Sequence, residues 1–566
     1  MAGGMQTKVG WIGRASGIRA LNLLPRAFGL CVFASLIQGV AMGQTTLSWG
    51  AAGAGGSGTW GISTNWFNGS TSGTWVQGSN AVFAGTAGTV ALNTARTASD
   101  IAFNTSGYTL ATNNNILTLS SLSGTQLGNT TFVGSSTDTS GGRELKLATS
   151  TGADVTFTGT IANNGLGSTT GLAKSGAGRL ILGSGFQYTA SGTLNVSNGT
   201  LQLGTATGVP VGRTWILNAT GTNQTVLELA AGDFAARFSQ SAQPNSSRVD
   251  MSGGTVGFAA IGGDRTLTLA NSSDVGWGKG GSTDRFTASE LILATAASTG
   301  KLTFASGTSN RGLLLSGTAA GTFQRTVRVD NGSSAIDAEI SLQILDGSAT
   351  IIGQLVKVGD GVLSLSRAAG NGYTGGTIVR GGTLLVNNTS NSGVGSGAVT
   401  VDAGAFLGGT GRVSGAVTVD GGIAPGSTGI GTLTTGSGVT WNAGNSWLFQ
   451  LGASAPSLAA ATAGTDSDLL AVSTAFTKGT AGSFTFDFGN SGADGWYKLV
   501  DYASTTFASG DFQATNVPSG KTANFVVDPD STALYVQIVP EPGTLVLAGI
   551  GMGMATLSFM KCRRRA

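Results

Sequence analysis

Histidine is absent from the 566 residues, and the only cysteines are Cys31 and Cys562. The commonest general base and metal ligand near neutral pH are therefore missing. Ser-His-Asp and Cys-His sites are excluded. A Cys/His zinc site goes with them, because both cysteines lie in terminal segments expected to be removed. Two close carboxylate pairs remain, Asp466 with Asp468 and Asp528 with Asp530. Calcium needs about six to eight converging oxygens, and the repeating Gly-Gly-x-Gly-x-Asp pattern of calcium rolls does not recur. Turn capping is the simpler use of these aspartates. Hydrolysis of a glycosidic bond needs two carboxylates flanking it, and no spacing singles out such a pair. Arg143, Lys146, Arg265, Arg285, Arg325 and Arg328 are scattered, not clustered. Gly176-x-Gly178 precedes no helix that could hold a phosphate, so it reads as a turn. One aromatic group stands out near the front: Trp49, Trp60, Trp66 and Trp75, with Phe67 and Phe83. It reads either as a hydrophobic cap or as a platform on which sugar rings stack. No cofactor or metal site emerges, and the expectation is a non-enzymatic chain.

The elements available to carry any site are short strands. The chain holds 95 glycines, more than twice the usual ~7%. Only 10% of residues are charged while 40% are hydrophobic, so a long core can form without the charge-rich signature of disorder. The net charge of +3 arises at the ends: Lys8, Arg14, Arg19 and Arg26 at the front, Lys561, Arg563, Arg564 and Arg565 at the back. Without these eight, 22 basic residues face 26 acidic ones between 44 and 540, a net of −4. No basic stripe exists to neutralise phosphates, so no nucleic-acid partner is expected.

Basic residues up to Arg26 precede an apolar run from Ala27 to Val40, and Ala41-Met42-Gly43 supplies small residues for cleavage before Gln44. Residues 1–43 thus read as a secretory signal, with an uncleaved anchor as the alternative. At the other end, Val539-Pro540-Glu541-Pro542 leads into an apolar stretch, 544–560, and then the basic tail. Seventeen residues of helix reach about 25 Å, enough for a thin bilayer core, and the basic tail would stop transfer. This tripartite end resembles the PEP-CTERM sorting signal of Gram-negative bacteria. The resemblance implies an exosortase-type membrane protease as partner and processing at or near Pro540-Glu541-Pro542. It also implies a transient inner-membrane anchor and delivery to the cell surface, outer envelope or beyond. A plain tail anchor is the alternative.

Between the ends, alternating strings recur: Leu117-Thr118-Leu119, Leu180-Ile181-Leu182, Leu201-Gln202-Leu203, Val399-Thr400-Val401 and Val417-Thr418-Val419. Period two sends alternate side chains inward. Asn198-Gly199-Thr200 and Gly381-Gly382-Thr383 precede such strings, placing glycine where tight turns need positive φ. Two stretches align, 172–203 and 355–386. Each has Lys, then Gly-x-Gly-x-Leu-x-Leu, then Tyr-Thr and a glycine-bounded Thr-Leu-x-Leu or Thr-Leu-x-Val; the first departs at Ala190-Ser191-Gly192. They resemble the autotransporter-associated β-strand repeat, which implies a right-handed parallel β-helix. A unit with one short apolar face cannot fold alone, whereas stacked units share a dry core. Sparse charge suits such stacking, because like charges in register repel while Thr, Ser and Asn can bond along a ladder.

The reading is an all-β chain: signal 1–43; aromatic-rich cap and first rungs 44–110; β-solenoid 111–438; C-terminal β cap 439–538; sorting signal 539–566. A compact sandwich array is the architectural alternative. No set of ~10-residue membrane strands reaches the end of the chain, so export is expected through the secretory translocon. Three roles follow: a surface or matrix protein of adhesin type, a glycan-binding protein using the tryptophans on extracellular polysaccharide, or a β-helix polysaccharide lyase or hydrolase.

Overall fold

The computed structural model describes residues 45–541, apart from 106–107, 112–114, 116, 123–130, 135–142, 150–153, 158–159, 164–169, 184–185, 190–191, 205–212, 241–247, 279–283 and the single residues 443, 463, 481, 529 and 531. The expected signal with Ala41, Gly43 and Gln44, the span 544–560, Pro542 and the basic tail lie outside these residues. Among the described residues the chain is all-β, and the helical elements are three-residue 3-10 turns such as Ala51–Gly53 and Leu458–Ala460. No helix there is long and apolar enough to cross a membrane.

The strands form where alternation predicts them, and their partners are parallel strands one turn later. Val379, Val401, Val419 and Trp441 stack in register, each fully buried. Beside them Thr377, Val399, Val417, Val439 and Phe476 make a second inward column. The intervening Thr400, Thr418, Thr440 and Thr477 form an outward ladder. Burying one column while solvating the next is what pins the register, since a one-residue slip would swap the two. Arg179 sits in register on the opposite charge of Asp154, 3.3 Å away, whereas Arg237 is stacked on Arg248 and each pairs with a separate carboxylate, Asp284 and Asp250. Gln324 donates to Gln354 on the next rung at 2.8 Å. One contiguous core cluster runs from Leu47 to Ile538.

The two ends close this stack differently. At the front Thr46–Trp49 pairs parallel with Asn80–Phe83 and antiparallel with Trp66–Phe67. At the back the parallel register crosses residues 438 and 439, because Val439–Trp441 lies between Val417–Val419 and Ala475–Lys478. Apart from isolated bridges such as Leu451 with Ser467, antiparallel pairing at this end of the described residues comes with the last strands: Ala533–Pro540 lies between Gly495–Asp501 and the edge strand Lys521–Asp528. Reversing direction there turns the chain back on itself, so the stack ends on a hairpin.

Candidate functional site

Val539 and Pro540 complete the terminal strand, facing Thr522 and Lys521 of the edge strand. Glu541 follows, exposed, with its N–H donated to Gly520 O at 2.8 Å. That bond makes 520 and 541 a hydrogen-bonded pair, so Lys521 and Pro540 form a non-hydrogen-bonded one. Proline's missing donor therefore costs the pair nothing, which is how a proline enters a strand here. The edge strand is tied down in turn. Lys521 Nζ pairs with Asp494 at 3.1 Å and donates to Gly492 O at 3.3 Å. Val527 N–H donates to Ser509 Oγ at 2.9 Å, and the Phe525 ring packs on Phe486 and Phe512 with centroids 5.6 Å apart in both pairs.

The two aligned stretches carry a second constellation. Lys174 and Lys357 occupy inward positions, in register with Val196 and Val379. Both are fully buried. The aliphatic stem lies in the core and the ammonium reaches the turn at the strand's end. Lys174 Nζ donates to Gly176 O at 2.6 Å and to Asn198 O, one rung on, at 2.7 Å. Lys357 Nζ donates to Gly359 O and Gly361 O, both at 2.5 Å, and to Gly381 O on the next rung at 2.7 Å. Each cation thus staples two consecutive turns. The following glycines make room for it. Gly199 and Gly382 have φ of +70° and +57°, and a Cβ there would lie 2.6 and 2.5 Å from the lysine Nζ. Burial pushes the Lys174 ammonium down to about 7 and that of Lys357 to about 8, where Asp360, Asp337 and Asp330 work in the opposite direction. Three carbonyls demand three N–H groups, which only the protonated amine offers.

The tyrosines of these stretches pin the following turn. Tyr188 Oη donates to Gly192 O at 3.0 Å. Thr377 Oγ1 donates to Val394 O at 3.2 Å, so Tyr373 must be the donor in its 2.7 Å bond to that hydroxyl. The copies use different partners where their sequences differ.

Comparison with known proteins bears on both constellations. Residues 539–565 match the PEP-CTERM protein-sorting motif, and residues 172–203 and 355–386 match the Passenger-associated-transport-repeat. The chain carries a PEP-CTERM sorting motif behind passenger-associated transport repeats. An 84-residue segment is 39% identical to a protein named Adhesin BmaC autotransporter, from Brucella suis biovar 1 (strain 1330). That segment covers 14% of this chain and 2% of the adhesin.

The sorting motif therefore begins inside the folded sheet, with Val539, Pro540 and Glu541 at the end of its last hairpin. The lysine of each passenger repeat is its inter-rung staple. The sequence showed this lysine and the glycines around it but not their bonding, because one acceptor comes from the next rung.

The other candidates resolve into structural roles. Trp49, Trp60, Trp66 and Trp75 are between 0% and 7% exposed. Trp60 and Trp66 have centroids 4.8 Å apart, Trp66 and Trp75 4.5 Å, and Trp49 and Trp66 5.1 Å. Rings packed on each other leave no face for a sugar, so the stacking platform gives way to the hydrophobic cap. Two of these aspartates cap local turns, but Asp468 instead ties distant segments together, accepting Gly431 N–H at 2.9 Å and Gln450 N–H at 2.7 Å. Asp466 accepts Thr462 N–H, and Asp528 accepts Asp530 N–H. Burial pushes the Asp468 carboxyl up to about 6 against those two bonds. The arginines repeat the lysine theme. Arg265 donates to Leu229 O, Ala230 O and Ile261 O. Arg325 donates to Trp277 O and Ser316 O. Arg328 pairs with Glu290 at 2.5 Å, and Arg285 donates to Gln240 at 2.6 Å. The side chains of Arg143 and Lys146 lie outside the description.

A cleft of about 690 Å³ opens where the last rungs meet the C-terminal strands, lined by Leu385, Ile430, Leu448, Leu451, Asp468 and Asp487. Its carboxylates are engaged, Asp487 by Gly489 N–H and the Asn516 amide. Leu448, 41% exposed, gives it an apolar lip.

Proposed function

We propose that this chain is an exported, non-enzymatic surface or matrix protein of adhesin type. Its body is a right-handed parallel β-helix, capped by the tryptophan cluster in front and the antiparallel hairpin behind. It passes the secretory translocon, is held briefly in the inner membrane by residues 544–560, and is cut by an exosortase-type protease. The observation that carries this reading is the junction of a sorting motif with a stack of passenger-type rungs, the motif's first residues, Val539 and Pro540, being the end of the last strand. The similarity to an adhesin supports the role. The bonding of the cations supports the non-enzymatic part: those best placed for chemistry are spent on carbonyls and carboxylates that hold rungs together.

The test is removal of residues 542–566, which keeps the terminal strand intact, with an epitope tag inserted in the body. Full-length chain should reach the cell surface and react with antibody on intact cells, and the shortened chain should not be held there. Equal surface display of both refutes the sorting part. Turnover of any acidic or neutral glycan by the purified body refutes the non-enzymatic part.

A further inference from the structure

The sorting motif starts inside the terminal strand, at Val539 and Pro540. A protease that reads a peptide binds it extended and engages its main-chain N–H and C=O groups as a neighbouring strand would. In the folded chain the main-chain groups of Val539 and the Glu541 N–H are already engaged by the edge strand. Val539 faces Thr522 as a hydrogen-bonded pair, Pro540 faces Lys521, and Glu541 N–H is bonded to Gly520 O. One side of a strand cannot pair with two partners at once. Inward of Val539 the hold changes character. Ile538 is fully buried and paired on both sides, with Gly495 and with Ala523. Opening from the strand's C-terminal side therefore meets one weak ladder up to Val539 and the sheet's core beyond it.

We propose that the edge strand Lys521–Asp528 competes with the sorting protease for Val539–Glu541. Cutting at the Pro-Glu-Pro motif then runs through fraying of the hairpin's end, and no product ends before Val539. This rests on the exosortase reading above and adds to it a rate set by the fold. The competing residues lie outside the motif, so they can be changed without touching what the protease recognises.

The experiment is a pulse-chase of the full chain in cells that carry the protease, with the C-terminal mass of the product measured. Thr522→Pro removes the N–H that Val539 O accepts and should speed tail removal at least threefold. Asn524→Thr places a better strand former at an exposed edge position and should slow it two- to threefold. Should Thr522→Pro impair folding, Asn524→Thr carries the test alone. Equal rates in parent and Asn524→Thr chains, or a parent product ending before Val539, overturn the proposal. Retention of residues 542–566 in every chain overturns the exosortase reading itself.

Discussion

Replacing Lys357 by methionine tests the staple, since methionine keeps the stem's bulk and removes the cation. Lys357 makes three bonds of 2.5, 2.5 and 2.7 Å. A hydrogen bond to a charged group contributes about 1.5–3 kcal/mol, so the gross loss is roughly 5–9 kcal/mol. The ammonium's desolvation, several kcal/mol, is recovered at the same time. Left behind are buried carbonyls facing a thioether, at about 1–3 kcal/mol each. Gly361 O keeps a bond from Thr383 N–H at 3.2 Å, so Gly359 O and Gly381 O bear most of the loss. The expected net destabilisation is about 3 kcal/mol. A stacked fold opens regionally, so a global melting point is the wrong measure. Hydrogen exchange followed by mass spectrometry on peptides covering 355–386 is the right one. Protection there should fall roughly 100-fold, since about 1.4 kcal/mol is a factor of ten, while peptides near Leu47 stay unchanged. Lys174→Met removes two bonds instead of three and should cost about two thirds as much around 172–203. Unchanged protection in Lys357→Met, or a larger loss in Lys174→Met, refutes the reasoning.

The same lysines make stability depend on pH. Their folded values, about 7 and about 8, lie below the ordinary 10.5. The unfolded chain therefore binds more protons between about 7 and 10.5, and stability rises with pH across that window; exchange protection of peptides in 172–203 and 355–386, corrected for the intrinsic rate at each pH from 7 to 10, should rise in the parent and rise less in the double Lys→Met variant. Asp468 has the opposite sign. Its folded value, about 6, lies above the ordinary 3.8, so its contribution is full below pH 4 and lost as pH rises through 6; Asp468→Asn should flatten the pH dependence of rate-corrected exchange protection in peptides covering 431 and 450–468 across that interval while lowering protection throughout, because an amide offers one acceptor to two N–H donors. Trp66→Ala should cost about 3–5 kcal/mol, the usual loss for a large aromatic emptied from a core; exchange protection across residues 45–83 reports it, and intact protection would remove the cluster from the core.

Strand positions were legible from residue order wherever alternation was clean. Val399-Thr400-Val401 and Val417-Thr418-Val419 lie in strands with both valines inward. The turn glycines were legible too: Gly199 and Gly382 have the positive φ that their place before a strand predicts. Both are local properties, set by neighbours two or three residues away. The PEP-CTERM motif was legible for the same reason, being a contiguous run.

What the order of residues could not settle is which groups meet across rungs. Loops between paired strands vary in length: Val417 pairs with Val439 on the next rung, but Val439 pairs with Phe476. No fixed period therefore names the partners. Only the stack decided that Lys174 and Lys357 face carbonyls of two turns, that the tryptophans face one another, and that Asp468 is buried under two N–H donors. Only the stack decided that the expected boundary at 538 falls inside a strand running to Pro540. Alternation is a contract between adjacent residues; bonding between rungs is a long-range outcome of how the whole coil packs.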